Sequence, residues 1–137
     1  MKGVRIFTML CCLMVLLATA MEAQAATARA RCRVRDGRVR VQVDGQDLAP
    51  GTYTAKVTNQ GPSNTGAMET TEGGKEQTAT AAAPDVDLDF DSTADPDDAD
   101  SPIGSNFAAQ GDSVKAEVNL VGGTMNPLAM ATDQCER

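Results

Sequence analysis

The sequence predicts an all-β domain, and three observations support this prediction. Several short segments alternate apolar and polar residues with period two, which is the pattern of half-buried strands. Glycine, proline and Asp-Gly pairs separate these segments at the short intervals typical of β-turns. No stretch has the apolar period of about 3.6 residues that marks an amphipathic helix. Many short strands separated by turns favour a sandwich or a barrel.

The first element of the chain has the features of a secretory signal peptide. Two basic residues precede an apolar run at 6–18, which is thirteen residues long, whereas crossing a bilayer takes roughly 20 residues. Ala-Gln-Ala at 23–25 is a suitable cleavage site, with Ala-Thr-Ala at 18–20 as the alternative. We expect residues 1–25 to be removed and the domain at 26–137 to be periplasmic or secreted, without a membrane span.

The expected mature chain has few large apolar side chains. Val, Leu, Ile and Phe make up 16 of its 112 residues, a proportion at which disorder becomes an alternative. The regular alternation and two cysteines near its ends favour a fold instead. In an oxidising compartment Cys32 and Cys135 are expected to form a disulfide, with two free thiols as the alternative. Closing a loop of about 100 residues stabilises a domain by roughly 4–5 kcal/mol.

Residues 31–43 predict a β-hairpin. Cys32 and Val34 share one face of its first strand, and the second strand has a valine at every other position. Asp36 and Gly37 fit a two-residue turn, because this pair tolerates the positive φ that such turns need.

The tight hairpin brings like charges together. It sets Arg35 opposite Arg38 and Arg33 opposite Arg40, and like charges directly opposed on two strands are destabilising. We therefore expect either a looser turn or an acidic strand alongside.

Residues 48–53, Leu-Ala-Pro-Gly-Thr-Tyr, predict a corner followed by a strand that begins at Thr52. This motif is similar to the corner of fibronectin type III and collagen-adhesin B-type sandwiches. The resemblance implies that the hydroxyl of Tyr53 bonds to backbone upstream of it.

The rest of the chain predicts further strands and one acidic loop, 92–105. Ile103 and Phe107 are expected to turn back onto the core. The last strand is expected at a sheet edge with Met130 inward, because Pro127 cannot donate to a ladder. The predicted strands are 65–71, 77–82, 85–91, 114–120 and 125–135.

The total of seven to eight short antiparallel strands in about 110 residues favours a small immunoglobulin-like sandwich. The mature chain also resembles a group of small exported bacterial proteins of unknown function. The shared features are Cys-x-Val at 32–34, Val-Asp-Gly-x-x-Leu-Ala-Pro-Gly-Thr-Tyr at 43–53, Asp-Phe-Asp-Ser at 89–92, and a cysteine near the end. The resemblance implies the immunoglobulin-like fold and implies no activity.

Aspartates concentrate between residues 85 and 100 and suggest two interpretations. Calcium takes six to eight oxygen ligands, often carboxylates from a loop. The other interpretation, which we favour, is a solvated acidic face that keeps a sheet edge soluble. The candidate calcium ligands are Asp91, Asp95, Asp97, Asp98 and Asp100.

Arginines concentrate in the predicted hairpin and also suggest two interpretations. They are a candidate patch for an anion, an acidic polysaccharide or a protein partner. We favour pairing across strands with the aspartates at 85–91, because opposite charges on neighbouring strands stabilise a sheet. The candidate patch comprises Arg31, Arg33, Arg35, Arg38 and Arg40.

The composition makes an enzyme the least favoured class. The chain has no histidine, which excludes a histidine base, a Ser-His-Asp triad and the usual zinc sites. The formal charge is −7 for the whole chain and −8 without residues 1–25, which carry +1. A net acidic domain is a poor general binder of nucleic acid.

We therefore expect an exported, non-catalytic binding or structural module without a cofactor other than calcium. The alternative is an adhesive or assembly subunit that pairs through exposed sheet edges.

Overall fold

The computed structural model describes residues 25–62, 70–71, 75–94 and 100–137. Most of the expected signal peptide and Asp95, Asp97 and Asp98 lie outside these residues. The described residues form ten strands in two sheets, with no helix. No described helix is therefore a candidate for crossing a membrane.

Each sheet has five strands. The first sheet contains β1 (Thr27–Arg35), β2 (Arg38–Gln46), β6 (Val86–Asp87), β7 (Phe90–Asp91) and β8 (Ser101–Pro102). The second sheet contains β3 (Gly51–Asn59), β4 (Thr70–Thr71), β5 (Gln77–Ala79), β9 (Ser113–Leu120) and β10 (Ala129–Gln134).

The predicted hairpin is confirmed as β1 and β2. Its turn has positive φ at Asp36 (51°) and Gly37 (79°), as a two-residue turn requires. Arg35 lies opposite Arg38, and the next pair of arginines is opposed in the same way. Acidic strands, β6 and β7, pair with the other side of β2. The sequence predicted either a looser turn or an acidic strand beside the hairpin; the turn is tight, and the acidic strands β6 and β7 are present.

The predicted strand at 85–91 is interrupted, because a side chain replaces a backbone acceptor. Both β6 and β7 pair with β2 in the same register. Between them the N–H of Val43 donates to Oδ1 of Asp89 at 3.0 Å, while the carbonyl of Asp89 accepts the N–H of Ser101 at 2.7 Å.

The first sheet is mixed, and the expectation of an entirely antiparallel fold is wrong. Ser101 and Pro102, which we expected in the acidic loop, form β8 and pair with β7 in parallel. This extra strand and the split at 88–89 raise the count of described strands from the expected seven or eight to ten.

The last strand is shorter than predicted and has the opposite phase. It begins at Ala129, which is buried opposite Val118, so Met130 faces outward with 61% of its surface exposed. The edge position expected from Pro127 is confirmed, because β10 is an end strand of the second sheet.

One core of buried apolar side chains draws on both sheets. Ile103 and Phe107 belong to this core, as predicted. Fully burying a valine or phenylalanine side chain contributes roughly 1.5–3 kcal/mol. The main contributors to the core are Val39, Val41, Val43, Tyr53, Val57, Phe90, Val114 and Val118.

The hydroxyl of Tyr53 donates to the carbonyl of Ala49 at 2.7 Å. This is the upstream backbone bond that the sequence resemblance implies for the corner.

The predicted disulfide joins the two sheets. Cys32 of β1 and Cys135, which follows β10, are bonded with a Cα–Cα distance of 4.4 Å, and both are buried. Backbone bonds flank the disulfide: Val34 N–H donates to the carbonyl of Glu136 at 2.8 Å, and Glu136 N–H donates to the carbonyl of Cys32 at 3.1 Å. The first described strand is therefore fixed to the segment that follows the last one.

Candidate functional site

The outer face of the first sheet carries the charged residues that the sequence predicts as candidate sites. Alternate residues of β1 form what we call the arginine row: Arg29, Arg31, Arg33 and Arg35. On the neighbouring strand β2, Asp44 lies opposite Arg29. At the other end of β2, Arg40 and Arg38 lie opposite arginines of the row. Beyond β2, Asp87 lies opposite Asp44, and Asp91 lies opposite Arg40. The face is cationic along its β1 side and acidic along its β6–β7 side.

Arg38 forms an ion pair with a buried aspartate. Its Nε lies 2.9 Å from Oδ1 and 3.1 Å from Oδ2 of Asp91, and its Nη2 also bonds to Oδ2. Asp91 is only 1% exposed and accepts two further bonds from Thr93. The hydrogen bonds from Arg38, the largest cause, lower the pKa of Asp91 to about 2, although burial acts in the opposite direction.

Arg40 is also held by aspartates. Its Nη2 lies 3.2 Å from Oδ2 of Asp89 and 3.6 Å from Oδ2 of Asp100. Its Nε is buried and has no hydrogen-bond partner among the described residues. The favoured interpretation of Arg38 and Arg40, pairing with the acidic strand, is thus what the structure has.

The arginine row differs from these two residues. Arg31 and Arg33 are exposed, and no acidic side chain of the described residues lies within ion-pair distance of either one. Arg35 lies 3.4 Å from Asp36, its neighbour in the chain, and both side chains are about 80% exposed. Such an exposed pair contributes little to stability. The row therefore has cationic groups that no carboxylate of the described residues neutralises.

The predicted calcium ligands are only partly described. Both carboxylate oxygens of Asp91 are occupied by Arg38 and Thr93, and Asp100 faces Arg40. Within the described ranges, no group of three or more acidic or cysteine side chains has the arrangement of a metal site. The calcium site at Asp91, Asp95, Asp97, Asp98 and Asp100 stays a prediction.

Acidic side chains crowd one another at the other end of β2. Burial raises the pKa of Asp44, and the nearby charges of Asp87 and Asp89 raise it further, while Arg29 lowers it. At this end of the face, the repulsion between carboxylates therefore exceeds the attraction from Arg29.

A buried polar pair was not predicted from the sequence. Nδ2 of Asn59 donates to Oδ2 of Asp112 at 2.9 Å and to the carbonyl of Phe107 at 2.8 Å. The N–H of Cys135 donates to the carbonyl of Asp112 at 2.7 Å. This pair holds the end of β3 and the start of β9 beside the disulfide. The only signal was the turn composition of Gly111 and Asp112, which does not reveal a distant amide partner.

The second sheet carries a polar depression of about 460 Å³ on its surface. Its wall includes Lys56 and Glu117, and Glu117 also lies 3.0 Å from Lys115. Asn126, another wall residue, uses its side chain to bond the turn after β9. These groups brace the sheet and its turn, and no nucleophile–base pair is found among the described lining residues, which are Thr54, Ala55, Lys56, Glu117, Asn119, Asn126 and Pro127.

Compared with protein families, with curated proteins and with solved structures, the chain matches none of them. The functional argument therefore depends on the chemistry of the site itself.

Proposed function

We propose that this protein is an exported, non-catalytic binding module whose ligand-contacting surface is the arginine row. Its fold is an immunoglobulin-like β-sandwich, and its destination after loss of residues 1–25 is the periplasm or the extracellular space. The buried disulfide between Cys32 and Cys135 supports that destination, because disulfides persist in oxidising compartments.

The observation that carries the proposal is the unpaired state of Arg31 and Arg33 within the described residues. Arg38 and Arg40 stand on the same face but serve the fold through Asp91 and Asp89. A guanidinium presents a planar fork of donors that matches carboxylate, sulfate or phosphate oxygens in pairs. The ligand is therefore anionic.

The disulfide prepares the row for binding. Cys32 lies in the same strand as Arg31 and Arg33, and its side chain is fixed to Cys135 on the core side. A rigid strand loses less conformational freedom on binding than a loop does, which favours affinity.

Retention on a sulfated-polysaccharide column tests the proposal. We expect Arg31→Gln/Arg33→Gln to elute at lower salt than the wild-type protein. The matched control is Lys56→Gln/Lys115→Gln, which removes the same charge from the second sheet and should elute near the wild-type position. Equal retention of the two double variants would contradict the proposal.

A second candidate function is an assembly subunit. Two methionines are exposed at or near the edge strand β10, Met125 at 77% and Met130 at 61%, and exposed apolar groups mark interaction surfaces. If this candidate is correct, Met125→Ser/Met130→Ser should reduce the molar mass measured by light scattering at high concentration. A wild-type protein that stays monomeric under these conditions excludes it.

A further inference from the structure

We propose that the ligand of the arginine row is an extended acidic segment of another protein, with Asp or Glu at alternate positions. This inference rests on the proposed function and names the chemistry of its ligand. The first argument is spacing. The arginines occupy every second residue of β1, so they repeat at about 6.5–7 Å, twice the rise of a strand. An extended peptide has the same repeat, and its alternate carboxylates stay in phase with the whole row.

The second argument is that the chain already makes this kind of contact internally. On β2, Arg38 and Arg40 bind Asp91 and Asp89, which are alternate residues of its own acidic segment. β1 presents the same residue type at the same spacing on the same face. The C-terminal segment borders its outer edge, with Asp133 accepting the N–H of Cys32 and Glu136 lying beside Arg33, but neither carboxylate is within ion-pair distance of Arg31 or Arg33. The partner supplies for β1 what Asp89 and Asp91 supply for β2.

The third argument is the width of the cationic surface. The row is one strand wide; Asp44 lies on the adjacent strand β2, and Asp87 lies on β6 beyond it, on the same face. A flat anionic surface such as a lipid bilayer meets these carboxylates as well as the arginines, so repulsion offsets part of the attraction. A narrow chain that follows β1 avoids them.

The fourth argument disfavours single-stranded nucleic acid. Proteins that bind single strands combine a cationic path with aromatic side chains on which bases stack. Tyr53, Phe90 and Phe107 are all buried in the core. The described outer face of the first sheet therefore has charges but no stacking platform.

The test compares two synthetic peptides of equal length and equal charge by fluorescence anisotropy at low ionic strength. One peptide alternates Asp and Ser, and the other has the same residues in the order Asp-Asp-Ser-Ser. We expect the alternating peptide to bind at least several-fold more tightly. We expect Arg31→Gln/Arg33→Gln to weaken its binding by about tenfold, and Lys56→Gln/Lys115→Gln to weaken it less than twofold.

The outcomes separate this inference from the proposed function. Equal affinity for the two peptides overturns the inference, because the phase of the carboxylates then has no effect. Binding of a sulfated polysaccharide without binding of either peptide also overturns it and leaves the proposed function standing. If neither probe binds, both fail. Circular dichroism of each variant shows whether a lost affinity reflects lost folding.

Discussion

Arg38 covers the buried carboxylate of Asp91, with its Nε 2.9 Å from Oδ1 and 3.1 Å from Oδ2. Asp91 is 1% exposed, whereas 54% of the Arg38 side chain is exposed. The pair therefore has one partner inside the fold and one on its surface. Removing the outer partner leaves an uncompensated charge inside.

The first prediction concerns this pair. Arg38→Met should destabilise the domain by about 2 kcal/mol, less than the 3–5 kcal/mol typical of fully buried pairs, because water reaches Arg38. The melting temperature should fall by roughly 8 °C. Arg31→Gln is the control and should change it little. A melt of Arg38→Met that overlays the wild-type curve would show that the pair contributes nothing.

The second prediction is a dependence on pH. The pKa of Asp91 is lowered from 3.8 to about 2 in the folded protein, so the folded state releases this proton more readily than the unfolded state does. The resulting stability, about 2 kcal/mol, is complete above the ordinary pKa and is lost as the pH falls from about 4 to 2. Urea unfolding at several pH values measures it. In the Asp91→Asn variant, the unfolding free energy lost between pH 4 and 2 should be smaller than in the wild type by about 2 kcal/mol.

The third prediction is a pH dependence of stability with the opposite sign, at Asp44. The pKa of Asp44 is raised by burial and by Asp87 and Asp89, so its folded form holds the proton more tightly. Its ionisation therefore reduces stability as the pH rises through the ordinary and then the raised pKa. Asp44→Asn should stabilise the protein at pH 7 by a few tenths to about 1 kcal/mol, and should have little effect at pH 3.

A double-mutant cycle checks the cause of that gain. Asp87→Asn relieves the same repulsion, so the two gains should not add in Asp44→Asn/Asp87→Asn. Full additivity would mean that the two carboxylates do not interact.

The fourth prediction concerns the disulfide. Cys32→Ala/Cys135→Ala should lose roughly 4–5 kcal/mol of unfolding free energy, because a bridge over 103 residues restricts the unfolded chain. The urea midpoint of the variant, compared with that of the oxidised wild type, measures the loss. A reduced wild-type protein should match the variant, and an unchanged midpoint in both would contradict the prediction.

The fifth prediction concerns calcium. Because Asp91 is bonded to Arg38 and Thr93 and Asp100 faces Arg40, we expect the same melting temperature in EDTA and in millimolar calcium. A rise specific to calcium and absent with magnesium would instead assign a site to the loop, with Asp95 and Asp98 as the residues to substitute.

Local patterns predicted the parts of the fold that local physics decides. Asp36 and Gly37 determine the turn through their positive φ, and the turn then determines the opposed arginines of β1 and β2. Tyr53 marks a corner whose bond is made only four residues away, to Ala49.

The features that were missed depend on distant partners or on a shift of one residue. The break at 88–89 arises because Asp89 takes a backbone N–H from β2, which alternation does not reveal. The phase of β10 is set by Ala129 meeting Val118, and a slip of one residue reverses every side chain. Asn59 and Asp112 meet across 53 positions of sequence. At the candidate site, the sequence located the arginines. It did not distinguish Arg38 and Arg40, which pair with aspartates, from Arg31 and Arg33, which have no such pair among the described residues.

The position of the disulfide has a consequence for the order of events in biogenesis. Cys135 follows Cys32 by 103 residues. The outer edge of β1 is bonded at Cys32 and Val34, through the backbone of Glu136 and the side chain of Asp133. A polypeptide delivered from its N-terminus presents β1 long before residue 135 arrives. Oxidation and the docking of β1 against Glu136 therefore require delivery of the segment that follows the last strand. Until then Cys32 has no Cys135 to pair with, and in the oxidising compartment proposed above its thiol is open to reaction with other cysteines.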